Sequence, residues 1–193
     1  MTNNRSLSGY RVAILATDGV EDAELREPRE ALKNAGAQVT LIAPKRDKIQ
    51  SFQHFDKKDQ FNVDILLGDA DPKQFDGVLL PGGALNSDTL RVQPQAQEFV
   101  REMDRAGKPI AVICHAPWLL VSAGLLKGRT LTSYHTIQDD VRNAGGKWQD
   151  EEVVHDRNWV SSRQPSDIPA FNQAMVDLFA EKKSAAEKMR SAA

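Results

Sequence analysis

The stretch that decides the fold is "KPIAVICHAPWLL", residues 108–120. Residues 109–113 form a short apolar run with β-branched residues, and "APWLLVSAGLLKG" behind them has the spacing of a helix. Between the two stands Cys114, the only cysteine of the chain, followed at once by His115. A strand that passes directly into a helix through one nucleophilic residue has the build of a nucleophile elbow. Such a turn lifts the side chain above the carboxyl edge of a parallel sheet, where open α/β sheets bind their ligands. The helix N-terminus would favour a thiolate there, and Pro117 suits the first helical turn, where its missing N–H costs nothing. A lone cysteine ending a core strand is as readily a small buried hydrophobe, so its surroundings must decide.

Outward from this point the chain alternates strands and helices. "YRVAILA" (10–16) is a strand, "EDAELREPREALKNAGA" a helix stopped at Gly36, and "QVTLIAP" (38–44) a second strand. "FQHFDKKDQFNVDI" reads as a hairpin turning at the polar "DKKD". "FDGVLLPGG" (75–83) is a buried strand that ends on Gly82 and Gly83, and "RVQPQAQEFVREMDRAGKP" has apolar residues at 96, 99, 100 and 103, one face of a helix. Beyond Gly128, "RTLTSY" reads as a strand, "TIQDDVRNAGG" as a short helix and "KWQDEEVVHDRNWVSSR" as an antiparallel pair. "PSDIPAFNQAMVDLFAEKK" is a closing helix with Ser166 as its N-cap. The expected architecture is α/β: a single doubly wound, mostly parallel sheet between helices, flavodoxin-like, with a small antiparallel hairpin. Residues 1–9 are expected as a flexible lead, 10–181 as one domain and 182–193 as a frayed tail.

Composition narrows the function. Of 193 residues 40% are hydrophobic and 27% charged, with a net charge of −2, so there is no basic footprint for nucleic acid. No apolar run approaches the roughly 20 residues of a membrane span, and the polar start lacks a signal-peptide core. A lone cysteine cannot form an internal disulfide, which suits a cytoplasmic protein. The four histidines show no ligand-like spacing, and no dinucleotide or P-loop motif is present; neither a metal nor a cofactor is expected.

Candidate partners for Cys114 come from two other strand ends. "TDGVEDAE" offers Asp18, Glu21 and Asp22, and "VLLPGGALNSD" offers Asp88; each also suits a helix cap. His115 could act as base, but adjacent residues at a tight turn tend to point apart, so it is expected to need its own orienting carboxylate. Gly82 and Gly83 either permit a tight turn or let backbone N–H groups approach an oxyanion.

Taken in order, "VAILATDGVEDAE", "FDGVLLPGG", "GKPIAVICHAPWLLVSAGLLKGRTLTSY", "DDVRNAGGKWQDEEVV" and "NWVSSRQPSDIPAFN" resemble the PfpI family, in the ThiJ/PfpI (DJ-one-like) branch of the class I glutamine amidotransferase-like superfamily. The resemblance implies that Cys114 is the nucleophile and that Glu21 hydrogen-bonds its sulfur in the protonated form. It implies His115 as the histidine after the nucleophile, with Asp88 orienting the histidine of a neighbouring subunit. Gly83 and His115 would supply the N–H groups of the anion site, and Tyr134 would line the pocket beside Gly82. His135 stands where many relatives have proline and is assigned to the pocket rim. Ala116 replaces the usual glycine.

The resemblance implies a homo-oligomeric stress-response protein, a cysteine-dependent hydrolase or deglycase acting on small electrophilic, glyoxal-type adducts or on modified proteins, with a cysteine open to oxidation. The alternatives are a non-catalytic redox sensor, a holdase chaperone and an intracellular cysteine peptidase.

Overall fold

The computed structural model describes residues 6–191. The first half contains β1 (Arg11–Leu15), β2 (Val20–Glu21), α1 (Asp22–Asn34), β3 (Gln38–Ala43), β4 (Lys48–Gln53), β5 (Asp56–Asn62), β6 (Ile65–Leu66) and β7 (Gly77–Leu80). Next come α2 (Ala84–Arg91), α3 (Pro94–Arg105), β8 (Ile110–Ile113), α4 (Pro117–Ser122), β9 (Thr130–Leu131) and α5 (Gln138–Asn143). The chain ends with β10 (Lys147–Trp148), β11 (Val153–Asp156), β12 (Trp159–Ser162) and α6 (Ile168–Ser191).

Seven strands form the main sheet in the order β11-β12-β8-β7-β1-β3-β6, and only the β11–β12 pair is antiparallel. Alternation along the strands feeds two cores. Val12 and Ile14 of β1 face α1 and α6, joining Leu25, Leu32, Phe171, Met175 and Phe179. Ala13 and Leu15 face the other side, with Leu90, Phe99, Val100, Met103 and Leu119. The helical positions 96, 99, 100 and 103 read from the sequence are the buried face of α3. The doubly wound, mostly parallel sheet is therefore as expected, and β1, β7, β8 and β12 bring their carboxyl ends to one edge.

Local features differ. The β4–β5 hairpin turns at His54 and Phe55, with His54 at φ +57°, while "DKKD" (56–59) lies within β5. Helix α2 follows Gly83 directly; at eight residues, "ALNSDTLR" is too short for a helical period to stand out, which is why it escapes a sequence reading. Ser166 sits in a short 3₁₀ turn ahead of α6. Of the expected N-terminal lead, residues 1–5 lie outside the described residues; Leu7 is buried, and its amide donates to Ala35 O at 2.7 Å. At the other end α6 continues through Ser191, and Lys183 Nζ donates to Ser6 O at 3.2 Å.

A buried polar knot ties the β12 side of the sheet to α3. Asp104 Oδ1 accepts from the Arg129 guanidinium, from Asn158 Nδ2 (3.1 Å) and from Trp159 Nε1 (2.8 Å). The Arg129 guanidinium lies over the Trp159 ring, 4.0 Å from its centre. Asp104→Ala removes the acceptor shared by three donors and leaves the buried Arg129 with the longer 3.6 Å ion pair to Asp156 and its bond to Asn158 Oδ1, a loss of about 3 kcal/mol. Urea unfolding followed by tryptophan fluorescence checks this; a loss below about 1 kcal/mol, the value of an exposed pair, contradicts it.

Candidate active site

The chain reverses between β8 and α4 at Cys114, which has φ +63°. Left-handed backbone at a residue with a Cβ costs of order 1–3 kcal/mol and persists only where its surroundings over-determine it. Here they do. The Cys114 amide donates to Ser162 O at 3.1 Å, its carbonyl accepts from Tyr134 N–H at 2.9 Å, and Ala116 N–H closes the turn onto Ile113 O at 3.1 Å. Pro117 occupies the first turn of α4, as expected.

The acid against the sulfur is Glu24. Its side chain is fully buried, its Oε2 accepts from Gly82 N–H at 3.0 Å, and its carboxyl interacts with the Cys114 thiol. Oε1 is buried without a nitrogen or oxygen partner, an arrangement that favours the neutral acid. Burial accordingly raises its pKa to about 8, helped by the Glu21 carboxylate.

Glu21, implied for this place by the resemblance, is elsewhere. It sits at the N-cap of α1 with extended backbone, and its Oε2 accepts from His54 N–H of the β4–β5 hairpin at 3.1 Å. The signal for Glu24 was present in the sequence: it shares the buried stripe of α1 with Leu25, Pro28 and Leu32, a single carboxyl on an apolar face.

Both glycines are close-approach positions. A methyl group on Gly82 would overlap Glu24 Oε2 and the Cys114 Cβ, and one on Gly83 (φ +89°) would overlap Gly19 O. The backbone N–H groups of Gly83 and His115 both face the Cys114 sulfur. Asn86, absent from the sequence-derived candidates, holds these turns together. It is buried; its Oδ1 accepts from Thr17 N–H at 2.7 Å and its Nδ2 donates to Pro81 O (3.0 Å) and Gly82 O (2.9 Å).

His115 does not point away from its neighbour. The left-handed turn brings its Nδ1 to 3.2 Å from Cys114 Sγ. Its ring stacks on Tyr134 (centroids 4.8 Å apart) and meets the Trp118 ring at 5.3 Å. Burial, with the nearby His135, lowers its pKa and favours the neutral imidazole. Cys114 moves in the other direction: burial pushes the thiol up and an ionised Glu24 would push it further, against the Gly83 and His115 N–H groups. A thiolate preformed at a helix end, expected from the sequence, is not what this environment favours. A neutral thiol beside a neutral imidazole is.

The remaining candidates lie further out. Asp18 bonds Lys45 Nζ (2.7 Å) and Gln50 N–H (2.8 Å), and Asp22 pairs with Arg26 and Ser51. Asp88 is exposed on α2, and no contact of its carboxylate with His115 is present within the chain. Exposed His135 flanks Tyr134, with ring centroids 4.5 Å apart. Among the described residues no group of three His, Cys, Asp or Glu is placed to hold a metal ion.

With this geometry in place, the relatives are informative. The DJ-1/PfpI family matches residues 10–178. Deglycase TK1284 of Thermococcus kodakarensis is 44% identical over 168 residues, spanning 87% of this chain and 98% of that protein. Protein/nucleic acid deglycase 2 of Escherichia coli is 39% identical, spanning 87% and 96%. The crystal structure of Drosophila melanogaster DJ-1beta superposes with a TM-score of 0.81 at 26% identity, covering 93% of this chain and 97% of that one. The family model over residues 10–178 and relatives of this identity and coverage settle the membership: the chain belongs to the DJ-1/PfpI family.

Proposed function

We propose that this protein is a cysteine-dependent hydrolase of the deglycase type, acting on small electrophilic, glyoxal-type adducts of metabolites or proteins in a cytoplasmic stress response. The observation that carries the reading is the 3.2 Å approach of His115 Nδ1 to Cys114 Sγ on a left-handed elbow. In the attack, Sγ forms a bond to the carbonyl carbon and its proton passes to His115 Nδ1. The N–H groups of Gly83 and His115 that face the sulfur hold the developing oxyanion. In the 2-hydroxyacyl form of the adduct the attacked carbon carries the amine or thiol. The oxyanion re-forms the carbonyl as that C–N or C–S bond breaks, and the imidazolium gives its proton to the leaving group. Water then hydrolyses the thioester left on Cys114 to the free hydroxy acid and thiol. Glu24, protonated at neutral pH, supplies an O–H beside the sulfur instead of a repelling charge.

The Cys114 thiol is only 6% exposed, which speaks against redox sensing, because peroxide reacts with accessible thiolates. Assembly is part of the proposal. Helix α2 exposes Leu85, and Val92 is exposed at its C-terminal end, both at 66%, with Asp88 between them in sequence. A second copy on this face would cover both apolar side chains and bring Asp88 to the neighbour's mouth.

Three outcomes test the reading. Purified protein should release the amine or thiol from methylglyoxal adducts, and Cys114→Ala should abolish this; absence of turnover on both adducts and peptides favours a sensor or holdase. Leu85→Lys with Val92→Lys should shift the sedimentation profile toward the monomer; an unchanged profile removes this face from the assembly. Glu24 makes stability depend on pH with a definite sign. Below 4.5 folded and unfolded chains both hold its proton, between 4.5 and about 8 only the folded chain does, and stability therefore falls as pH rises across that window. Glu24→Gln should flatten this fall in urea midpoints between pH 5 and 8, and Glu21→Gln should not. Equal slopes in all three proteins would show that Glu24 ionises normally.

A further inference from the structure

Asn86 is placed to do more than hold a turn. Its side chain is fully buried at the start of α2, and its partners force the way its amide points. The Thr17 amide can only donate, at 2.7 Å, so Oδ1 faces it. The carbonyls of Pro81 and Gly82 can only accept, so both hydrogens of Nδ2 are committed to them, at 3.0 and 2.9 Å.

Those two carbonyls are the far ends of the two peptide units that serve the site. A trans peptide is planar, with its C=O and N–H pointing in opposite directions, so fixing one end aims the other. The unit that carries Pro81 O carries Gly82 N–H, which donates to Glu24 Oε2 at 3.0 Å. The unit that carries Gly82 O carries Gly83 N–H, which faces the Cys114 sulfur. One side-chain amide thus aims two donors, one at the buried acid and one at the nucleophile. A donor on a carbonyl also polarises its peptide and strengthens the N–H at the other end. The backbone grips the second unit more loosely, because the bond from Glu21 N–H to Gly82 O is 3.4 Å long. The residue type matters as well: an ionised Asp has no donor to offer, Ser is too short to reach both carbonyls, and Gln is one methylene too long.

We infer that Asn86 is the positioning residue of the anion site. Its amide holds the Gly82–Gly83 peptide so that Gly83 N–H meets the oxyanion formed when Cys114 attacks a carbonyl, and the same grip turns Gly82 N–H to Glu24. The inference rests on the reading of Cys114 as nucleophile. It gives a part in the reaction to a side chain whose bonds all go to backbone.

An activated ester and an alkylating agent separate this role from a structural one. With p-nitrophenyl acetate, Sγ bonds to the carbonyl carbon and its proton passes to His115 Nδ1. The oxyanion then re-forms the carbonyl as the C–O bond to p-nitrophenolate breaks, leaving an acetyl thioester on Cys114 and a burst of yellow product. With iodoacetamide the same sulfur displaces iodide, its proton again leaving, and no oxyanion forms. A change in access to the thiol or in its basicity moves both rates; loss of an oxyanion donor moves only the first. Asn86→Ala and the polar Asn86→Ser should lower the ratio of acylation to alkylation at least about tenfold, where removing a whole donor costs about a hundredfold. Asp104→Ala, which loosens the opposite end of β8, should leave the ratio unchanged. In the wild type both Asn86 side-chain amide protons should exchange slowly with solvent by NMR, a measurement that needs no variant to fold. An unchanged ratio in a folded Asn86 variant, fast exchange of either proton, or a wild type that is alkylated but not acylated overturns the inference. If the ratio falls while the wild type releases nothing from methylglyoxal adducts, the deglycase reading fails and the role of Asn86 stands.

Discussion

One constrained peptide unit organises the functional end of this molecule. Cys114 is held at φ +63°, a conformation disfavoured for any residue with a Cβ, by bonds from its amide to Ser162 of β12 and to its carbonyl from Tyr134. The register of the sheet makes this possible: Ile113 is paired with Ser162, so the strand beside β8 ends where the elbow needs an acceptor. The turn then does what an extended or helical residue could not, placing Sγ and the next residue's Nδ1 side by side. The stability of the seven-stranded sheet is in this sense spent on one dihedral angle.

The electrostatics follow from the same burial. A carboxyl, a thiol and an imidazole lie together with little access to water, and the charged form of each is disfavoured. Burial therefore favours the neutral form of all three groups, and in the proposed mechanism charge arises only when a substrate carbon is present to accept the sulfur. In that proposal the Gly83 and His115 N–H groups and the Glu24 carboxyl already stand beside the sulfur, so little reorganisation is required. A site of this kind trades resting reactivity for selectivity, which agrees with a thiol that is only 6% exposed.

Much of this was legible before the fold was known. The strand, the elbow and the helix at 108–120 were readable because a strand passing into a Pro-started helix has few alternatives, and α3 because its apolar positions repeat at the helical period. The identity of the acid was not, because motif matching assigns Glu21 while side-chain direction depends on where α1 begins. Glu21 stands at its N-cap and turns to the hairpin; Glu24, in the first turn, turns inward. Asn86 was hidden for a related reason. It belongs to a helix of only eight residues, and its value lies in joining the nearby Pro81 and Gly82 carbonyls to the amide of Thr17, 69 residues away in sequence, which no local pattern records.

The division of labour between the two glutamates also explains the hairpin. Glu21 and Asp22 both reach β4 and β5: Glu21 accepts from His54 N–H, Ser51 Oγ donates to Asp22, and Arg26 bridges Asp22 and Asp59. These links fix a wall beside the start of α1. Glu21 is half-exposed there and bonded to the hairpin backbone. One turn later, Leu25, Pro28 and Leu32 seal Glu24 from solvent, and that seal, more than any specific contact, makes a neutral acid available at neutral pH. The chemistry of the site thus depends on where a helix starts: at the N-cap of α1 Glu21 bonds the hairpin, and in the first turn Glu24 is buried against the Gly82 amide and the sulfur.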